Sequence, residues 1–155
     1  INGRKVTLIN NHLETNHFSY EEKEQFGVMV KGNMARHQLK SESKFIVKKL
    51  ANAAVIRASQ ADSVAAFVAR HKGEEIILCG DFNDIPVSYV HRVIQGDLID
   101  CYTSAGRGPG FSYKKNGMFV RIDNIMCTEK FTPCYTYVDR SIDISDHFPI
   151  ITYLK

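Results

Sequence analysis

No apolar run in the chain approaches the roughly 18 residues that a membrane-crossing helix needs, which excludes a helical span within these 155 residues. There is no dense Arg/Lys arm, and the net charge is only +3. That excludes a basic tail that wraps nucleic acid, while still tolerating a phosphate-bearing partner. The four cysteines, Cys79, Cys101, Cys127 and Cys134, stand far apart without CxxC spacing. Neither a CxxC-type zinc site nor a disulfide framework is expected from such a pattern. Tryptophan is absent, and neither proline nor glycine occurs between Glu42 and His71. Nothing in that stretch breaks a helix.

What remains is the composition of one ordinary globular domain, 44% hydrophobic and 24% charged, long enough for a sizeable core. The segment Ile76-Ile77-Leu78-Cys79 reads as a short buried strand after the charged residues 72–75. Gly80 gives it a tight exit. Asp81, Asn83 and Asp84 then follow at the carboxyl end of that strand, where α/β folds place ligands. Taken alone, the same residues also read as an Asx turn.

Val6 to Leu13 is a second strand-like run, with Asn10 and His12 two apart on one face. Glu21 to Val30 reads as a helix capped by Ser19. Residues 42–71 carry an apolar stripe of helical period that includes Phe45, Val47, Leu50, Ala54, Ala61, Val64, Phe67 and Val68. One long helix is predicted there, with a break at Ser59 as the alternative; Arg57 and Gln60 fall on its polar side, solvated or supporting the fold. A short helix is predicted over 88–95 and a brief apolar segment over 98–100. Strands are predicted over Phe111–Tyr113, Phe119–Cys127, Phe131–Val138 and Phe148–Leu154, with hairpin tips at Asn2-Gly3 and Lys114-Lys115-Asn116-Gly117. On the strand over 119–127, Arg121 and Asp123 share a face, which leaves a salt bridge between them as the structural reading of Asp123. His17 and His37, without ligand-like neighbours, read as surface residues.

Three strand ends and one strand face thus carry the same kinds of group. In order they are Asn10-x-His12-Leu13, Gly80-Asp81-Phe82-Asn83, Arg121-Ile122-Asp123 and Ser145-Asp146-His147-Phe148-Pro149. These segments resemble, in sequence and in order, the motifs of the endonuclease/exonuclease/phosphatase superfamily, and most closely its members from Bacteroides-like bacteria. The resemblance spans almost the whole chain. It implies an α/β fold, the C-terminal part of a DNase I-like sandwich with two mixed or antiparallel sheets flanked by helices. It also implies Mg²⁺- or Mn²⁺-dependent hydrolysis of phosphate esters. Asp81 would orient or deprotonate the attacking water, with Asn83 beside it on that water or a phosphate oxygen. His147 would bind the scissile phosphate, oriented by Asp123, and His12 would be the second phosphate-contacting histidine. Asp146 and Asp81 would stand at the metal, with Asn10 at most in support. Elementary chemistry agrees: carboxylate and amide oxygens suit a hard cation, and a histidine held by a carboxylate suits charge stabilisation in phosphoryl transfer.

The match has gaps. The family's strand-end Asn and metal-binding Glu have no counterpart before Asn10, and Glu14, Glu21 and Glu24 do not fit that motif. Together with the Asn2-Gly3 turn, this leads us to expect residues 1–155 to be a single domain truncated at its N-terminus. Such a chain would bind Mg²⁺ weakly and have reduced activity, or none. The localisation is open: bacterial, and either cytoplasmic or membrane-associated through the missing N-terminal region. Asn124 stands where the family often has an aromatic or a histidine, and the inositol phosphatases' Trp-containing run is absent. Arg107, Lys114 and Lys115 read as a solvated loop. A phosphate-ester substrate, nucleic acid among the candidates, is the expected partner. The alternatives are a phosphomonoesterase, a sphingomyelinase-like phosphodiesterase, and a binding protein that keeps the fold without the chemistry.

Overall fold

The computed structural model describes residues 1, 3–30, 32, 36–115 and 118–155, and for 30 and 36–43 the backbone course only. In chain order its elements are β1 (Thr7–His12), α1 (Tyr20–Val30), α2 (Arg36–Arg70), β2 (Ile76–Asp81), α3 (Tyr89–Gln95), β3 (Ile99–Asp100), α4 (Cys101–Ala105), β4 (Tyr113–Lys115), β5 (Met118–Val120), β6 (Asp123–Cys127), β7 (Pro133–Val138) and β8 (Ile150–Leu154).

A four-stranded sheet of order β1-β2-β6-β3 forms the centre. β1 and β2 are parallel and therefore need a crossover, which α1 and α2 supply. β6 runs antiparallel to both β2 and β3. Side-chain alternation sorts the two faces. Leu78, Met126, Ile9 and Leu13 pack with Ala61 of α2 and Val90 and Ile94 of α3. Ile77, Ile125, Cys127 and Ile99 pack on the other face with Cys101, Phe131 and Leu154. Two antiparallel hairpins, β4–β5 and β7–β8, complete the described strands. The fold is α/β, and all four cysteines are free thiols.

Local chemistry explains the element ends. Ser19 and Glu22 satisfy each other's backbone amides ahead of α1, Ser19 N–H donating to the Glu22 carboxylate at 2.7 Å and Glu22 N–H to Ser19 Oγ at 3.3 Å. Ser88 caps α3. At Gly80 (φ 149°) a Cβ would stand 1.9 Å from the Asn11 carbonyl oxygen, so only glycine allows β1 to lie against β2 here.

Several expectations need correction. α2 begins at Arg36 and runs unbroken through Ser59. Its buried line is Ile46, Ala53, Arg57 and Ala61, a 3.6-residue repeat one position away from Phe45 and Val47; those two and Phe67 stay exposed. Arg57 is therefore not on a solvated side. The strand predicted over 119–127 is two strands, β5 and β6. It bends because Ser112 Oγ accepts the amide hydrogens of Ile122 (3.2 Å) and Asp123 (3.1 Å) while Arg121 turns inward. α4, too short to show a helical period in the sequence, is capped by Asp100 through the Tyr102 and Thr103 amides. β8 begins after Pro149, not before it. Of the two predicted hairpin tips, Asn2, Asn116 and Gly117 lie outside the described residues, as does the His37 side chain.

Candidate functional site

The sheet register aligns His12 with Asp81 and Asp81 with Asp123. Three chemistry-bearing residues thus form one row across β1, β2 and β6, about 4.8 Å from strand to strand. All three side chains leave the same face, since each is an even number of residues from Leu8, Ile77 and Ile125 on its own strand.

The fourth member arrives from the loop before β8. That loop is fastened to β4 by the Tyr113–His147 bridge, by Lys114 N–H to Asp146 O (2.9 Å) and by Phe148 N–H to Ser112 O (2.6 Å). His147 Nδ1 then lies 2.8 Å from Asp123 Oδ2. Its Nε2 is 3.9 Å from Asp81 Oδ2, and His12 Nε2 is 3.8 Å from the same oxygen. One carboxylate oxygen therefore sits between two imidazoles. Tyr113 closes on the His147 ring edge-on, with centroids 5.0 Å apart.

Asn83 is the brace. Its φ of 49° is left-handed, a conformation that asparagine tolerates better than most residues. Its N–H donates to Asp81 Oδ1 at 2.7 Å. Its Nδ2 reaches Leu13 O at 3.0 Å and Asp81 Oδ2 at 3.2 Å. The Asx turn and the site are the same object here: the turn's hydrogen bond is what aims the Asp81 carboxylate.

Burial pushes the Asp81 carboxyl above its usual range, and the neighbouring charge of Asp123 adds to this. The hydrogen bond to Asp123 raises His147 against the opposing effect of its own burial. Single oxygens of Asp81 and Asp123 and one ring nitrogen of His147 lie within 4.8 Å of one another, close enough to hold a metal ion. Asp146 lies apart from that trio. Its carboxylate accepts from Lys115 Nζ at 3.2 Å; burial raises the carboxyl, but this bond, the Lys115 charge, a backbone hydrogen bond and His147 together hold it below its usual range. A cavity of about 420 Å³ joins the two groups, with His12, Asp81, Asn83, Asp84, Asp146 and His147 in its wall. A larger one, about 630 Å³, opens at the far end of β2 beside Ile76 and carries none of these residues.

Some expected pairings are not made. Arg121 does not bridge to Asp123; its guanidinium forks onto the buried Asp100 at 3.0 and 2.8 Å. That leaves Asp123 to His147 and overturns the salt-bridge reading. Asn10 approaches Cys79 Sγ (3.8 Å) and has no hydrogen bond to His12 among the described residues. Lys114 and Lys115 are paired with Asp143 and Asp146. Sequence reasoning missed Tyr113 and Ser112 altogether. Neither has a motif of its own, and only the pairing of β4 with the 146–148 segment brings them to the site.

Asp123→Asn is expected to lower the His147 titration midpoint toward the ordinary histidine value, followed by NMR of the ring protons, with the fold intact. Stability should follow the same sign. A histidine raised on folding contributes fully below about pH 6.5 and loses that contribution as pH rises through its folded value. The variant's pH–stability curve should be flatter over that window.

A sequence model described as the endonuclease/exonuclease/phosphatase family matches residues 46–147. No curated protein matches the chain. Among solved structures it is similar to an endonuclease/exonuclease/phosphatase family protein from Bacteroides thetaiotaomicron, with TM-score 0.53, 22% identity, and 65% of this chain and 45% of that one covered. A second is the endonuclease/exonuclease/phosphatase from Bacteroides vulgatus, with TM-score 0.52, 19% identity, and 61% and 43% covered. A third is a humanized D. rerio TDP2, with TM-score 0.62, 15% identity, and 99% and 57% covered. At such identities these likenesses show the fold, which is DNase I-like. The chain spans about half the length of these structures, between 43% and 57%.

Proposed function

The chain belongs to the endonuclease/exonuclease/phosphatase family, and from that premise we propose that it carries the catalytic centre of a divalent-metal-dependent phosphodiester hydrolase. The support is one arrangement: Asp81 Oδ2 between His12 and His147, with Asp123 on the far nitrogen of His147.

The donor set fits a hard cation, because Asp81 and Asp123 offer carboxylate oxygens within one ion's reach. Asp146, whose Oδ2 is engaged by Lys115, is not among them. A bound Mg²⁺ or Mn²⁺ would supply charge neutralisation at the phosphate and at the leaving oxygen. The rest falls to the side chains. Asp81, aimed by Asn83, takes the proton of the attacking water. Asp123 accepts the Nδ1 hydrogen of His147 and so keeps the imidazole charged, with its Nε2–H directed at a phosphate oxygen. His12, more exposed, donates from the opposite side. Asn83 acts through Asp81, since its own amide is already engaged by Leu13 and Asp81.

The cavity wall sets Asp81, Asp84 and Asp146 against Lys23, Arg57 and three histidines, a balance that accommodates the single negative charge of a diester. No helix among the described residues is long and apolar enough to cross a membrane.

The test is hydrolysis of bis(p-nitrophenyl) phosphate beside p-nitrophenyl phosphate. The expected result is turnover of the diester that stops with EDTA and returns with added Mg²⁺ or Mn²⁺. Turnover that survives EDTA, preference for the monoester, or none of either would each defeat the proposal.

A further inference from the structure

We propose that Arg57 and Gln60, neighbours on one turn of α2, are positioning residues that fasten the two strand-exit segments of the site to each other. The inference rests on the reading of that site as hydrolytic. Gln60 Oε1 accepts the Glu14 N–H at 2.8 Å. Arg57 Nη1 donates to Glu14 O at 3.1 Å and to Asn16 Oδ1 at 2.9 Å. Arg57 Nε donates to Asp84 Oδ2 at 3.3 Å. Both peptide groups of Glu14, two residues past His12, are thereby gripped by the helix. The same guanidinium holds Asp84, the residue after Asn83.

Arg57 is only 4% exposed, on the buried line of α2 between Ala53 and Ala61. An apolar side chain would fill that place without the cost of a buried charge. What an arginine adds is a rigid planar fork that reaches several acceptors at once, and here those acceptors belong to two loops. The β1–β2 ladder places His12 beside Asp81, but it ends there. Beyond it the direct ties are Leu13 N–H to Asp81 O (3.0 Å) and Asn83 Nδ2 to Leu13 O. The Arg57–Gln60 clip decides where the chain goes next. Thr15, Asn16 and His17 then form one wall of the site cavity. A strap freed at Glu14 would loosen Leu13 O, and with it the brace that Asn83 puts on Asp81.

Two measurements test this on the same protein. The first is residue-resolved amide hydrogen exchange. In Gln60→Leu the Glu14 amide should exchange at least about tenfold faster while β6 amides keep wild-type protection. Gln60→Glu, which retains an acceptor oxygen, should keep Glu14 protected. The second is kinetics with bis(p-nitrophenyl) phosphate. Gln60→Leu should lower kcat by about tenfold to a hundredfold with KM little changed, and Gln60→Glu should restore most of it. Arg57→Lys, a point charge that cannot span the three acceptors, serves where Gln60→Leu fails to fold. It should loosen the amides of residues 14–16 with the same kinetic signature. Wild-type exchange at Glu14 in these variants, or equal damage from Gln60→Glu and Gln60→Leu, would overturn the inference. If the wild-type protein shows no turnover, the proposed hydrolase falls, and the exchange at Glu14 still decides the clip.

Discussion

Asp100→Ala is expected to destabilise the protein by about 3–5 kcal/mol, measured as a fall in the urea midpoint with little change in slope. The carboxylate is the hub of a buried network. Arg121 donates to both of its oxygens, His91 Nε2 lies 3.2 Å from Oδ2, and the Tyr102 and Thr103 amides donate to Oδ1 at 2.9 and 3.1 Å. The Thr103 hydroxyl adds a bond of 2.8 Å. Removing the hub strands a buried guanidinium without its counter-charge and uncaps α4. A domain with 5–15 kcal/mol in total does not carry such a loss lightly. Asp100→Asn, which keeps one acceptor oxygen, should cost less.

The pH dependence separates the charge from the packing. Burial alone would raise the Asp100 carboxyl, but the hydrogen bonds from His91 and Arg121 outweigh it and hold the group far below the usual range. A carboxyl depressed on folding contributes fully above its unfolded value, about 3.9, and loses that contribution as pH falls toward its folded value. Wild type should therefore lose stability between about pH 4 and pH 2, and Asp100→Asn should lose less over the same interval.

This network also marks the limit of what the sequence made legible. Asp81 and Asn83 follow a strand-like run, Asp123 lies on a strand face and His147 leads into the last strand, and all four are identifiable because they stand inside ordered motifs. The register that aligns His12, Asp81 and Asp123 follows from period-2 alternation once the strands are paired. Asp100 had no such flag: it follows two apolar residues and precedes a helix of one turn, too short for periodicity to show. A strand drawn straight through 119–127 puts Arg121 beside Asp123, and nothing local announces the bend that Ser112, nine residues earlier in the chain, imposes. Arg57 sits on a helix whose apolar stripe reads one position off in the sequence, so a buried arginine reads as either solvated or fold-supporting, and its burial fits only the second. In each case the deciding partner is distant in sequence and polar, and hydrophobic patterning does not register polar partners.

Asp81→Asn should pull activity and stability in opposite directions. Hydrolysis of bis(p-nitrophenyl) phosphate is expected to fall by about 10³-fold in kcat, because an amide cannot take a proton from water or neutralise a bound cation. The substitution keeps the shape of the side chain and leaves an Oδ1 for the Asn83 N–H, so the turn can still close; Asn83 Nδ2 loses Oδ2 as an acceptor but keeps Leu13 O. Stability should not fall with it. Burial and the nearby Asp123 raise the Asp81 carboxyl, which means that its charged form is disfavoured on folding at neutral pH. A carboxyl raised on folding contributes below its unfolded value and loses that contribution as pH rises through its folded value. Removing the charge removes that loss, so the melting temperature of Asp81→Asn at pH 7 should equal or exceed that of wild type, and the two should converge in acid. A variant that is inactive and also markedly less stable would point to Asp81 as a brace for the β1 and β2 exits. A variant that is inactive with an undiminished melting temperature would place its charge in the chemistry, held there at the expense of the fold.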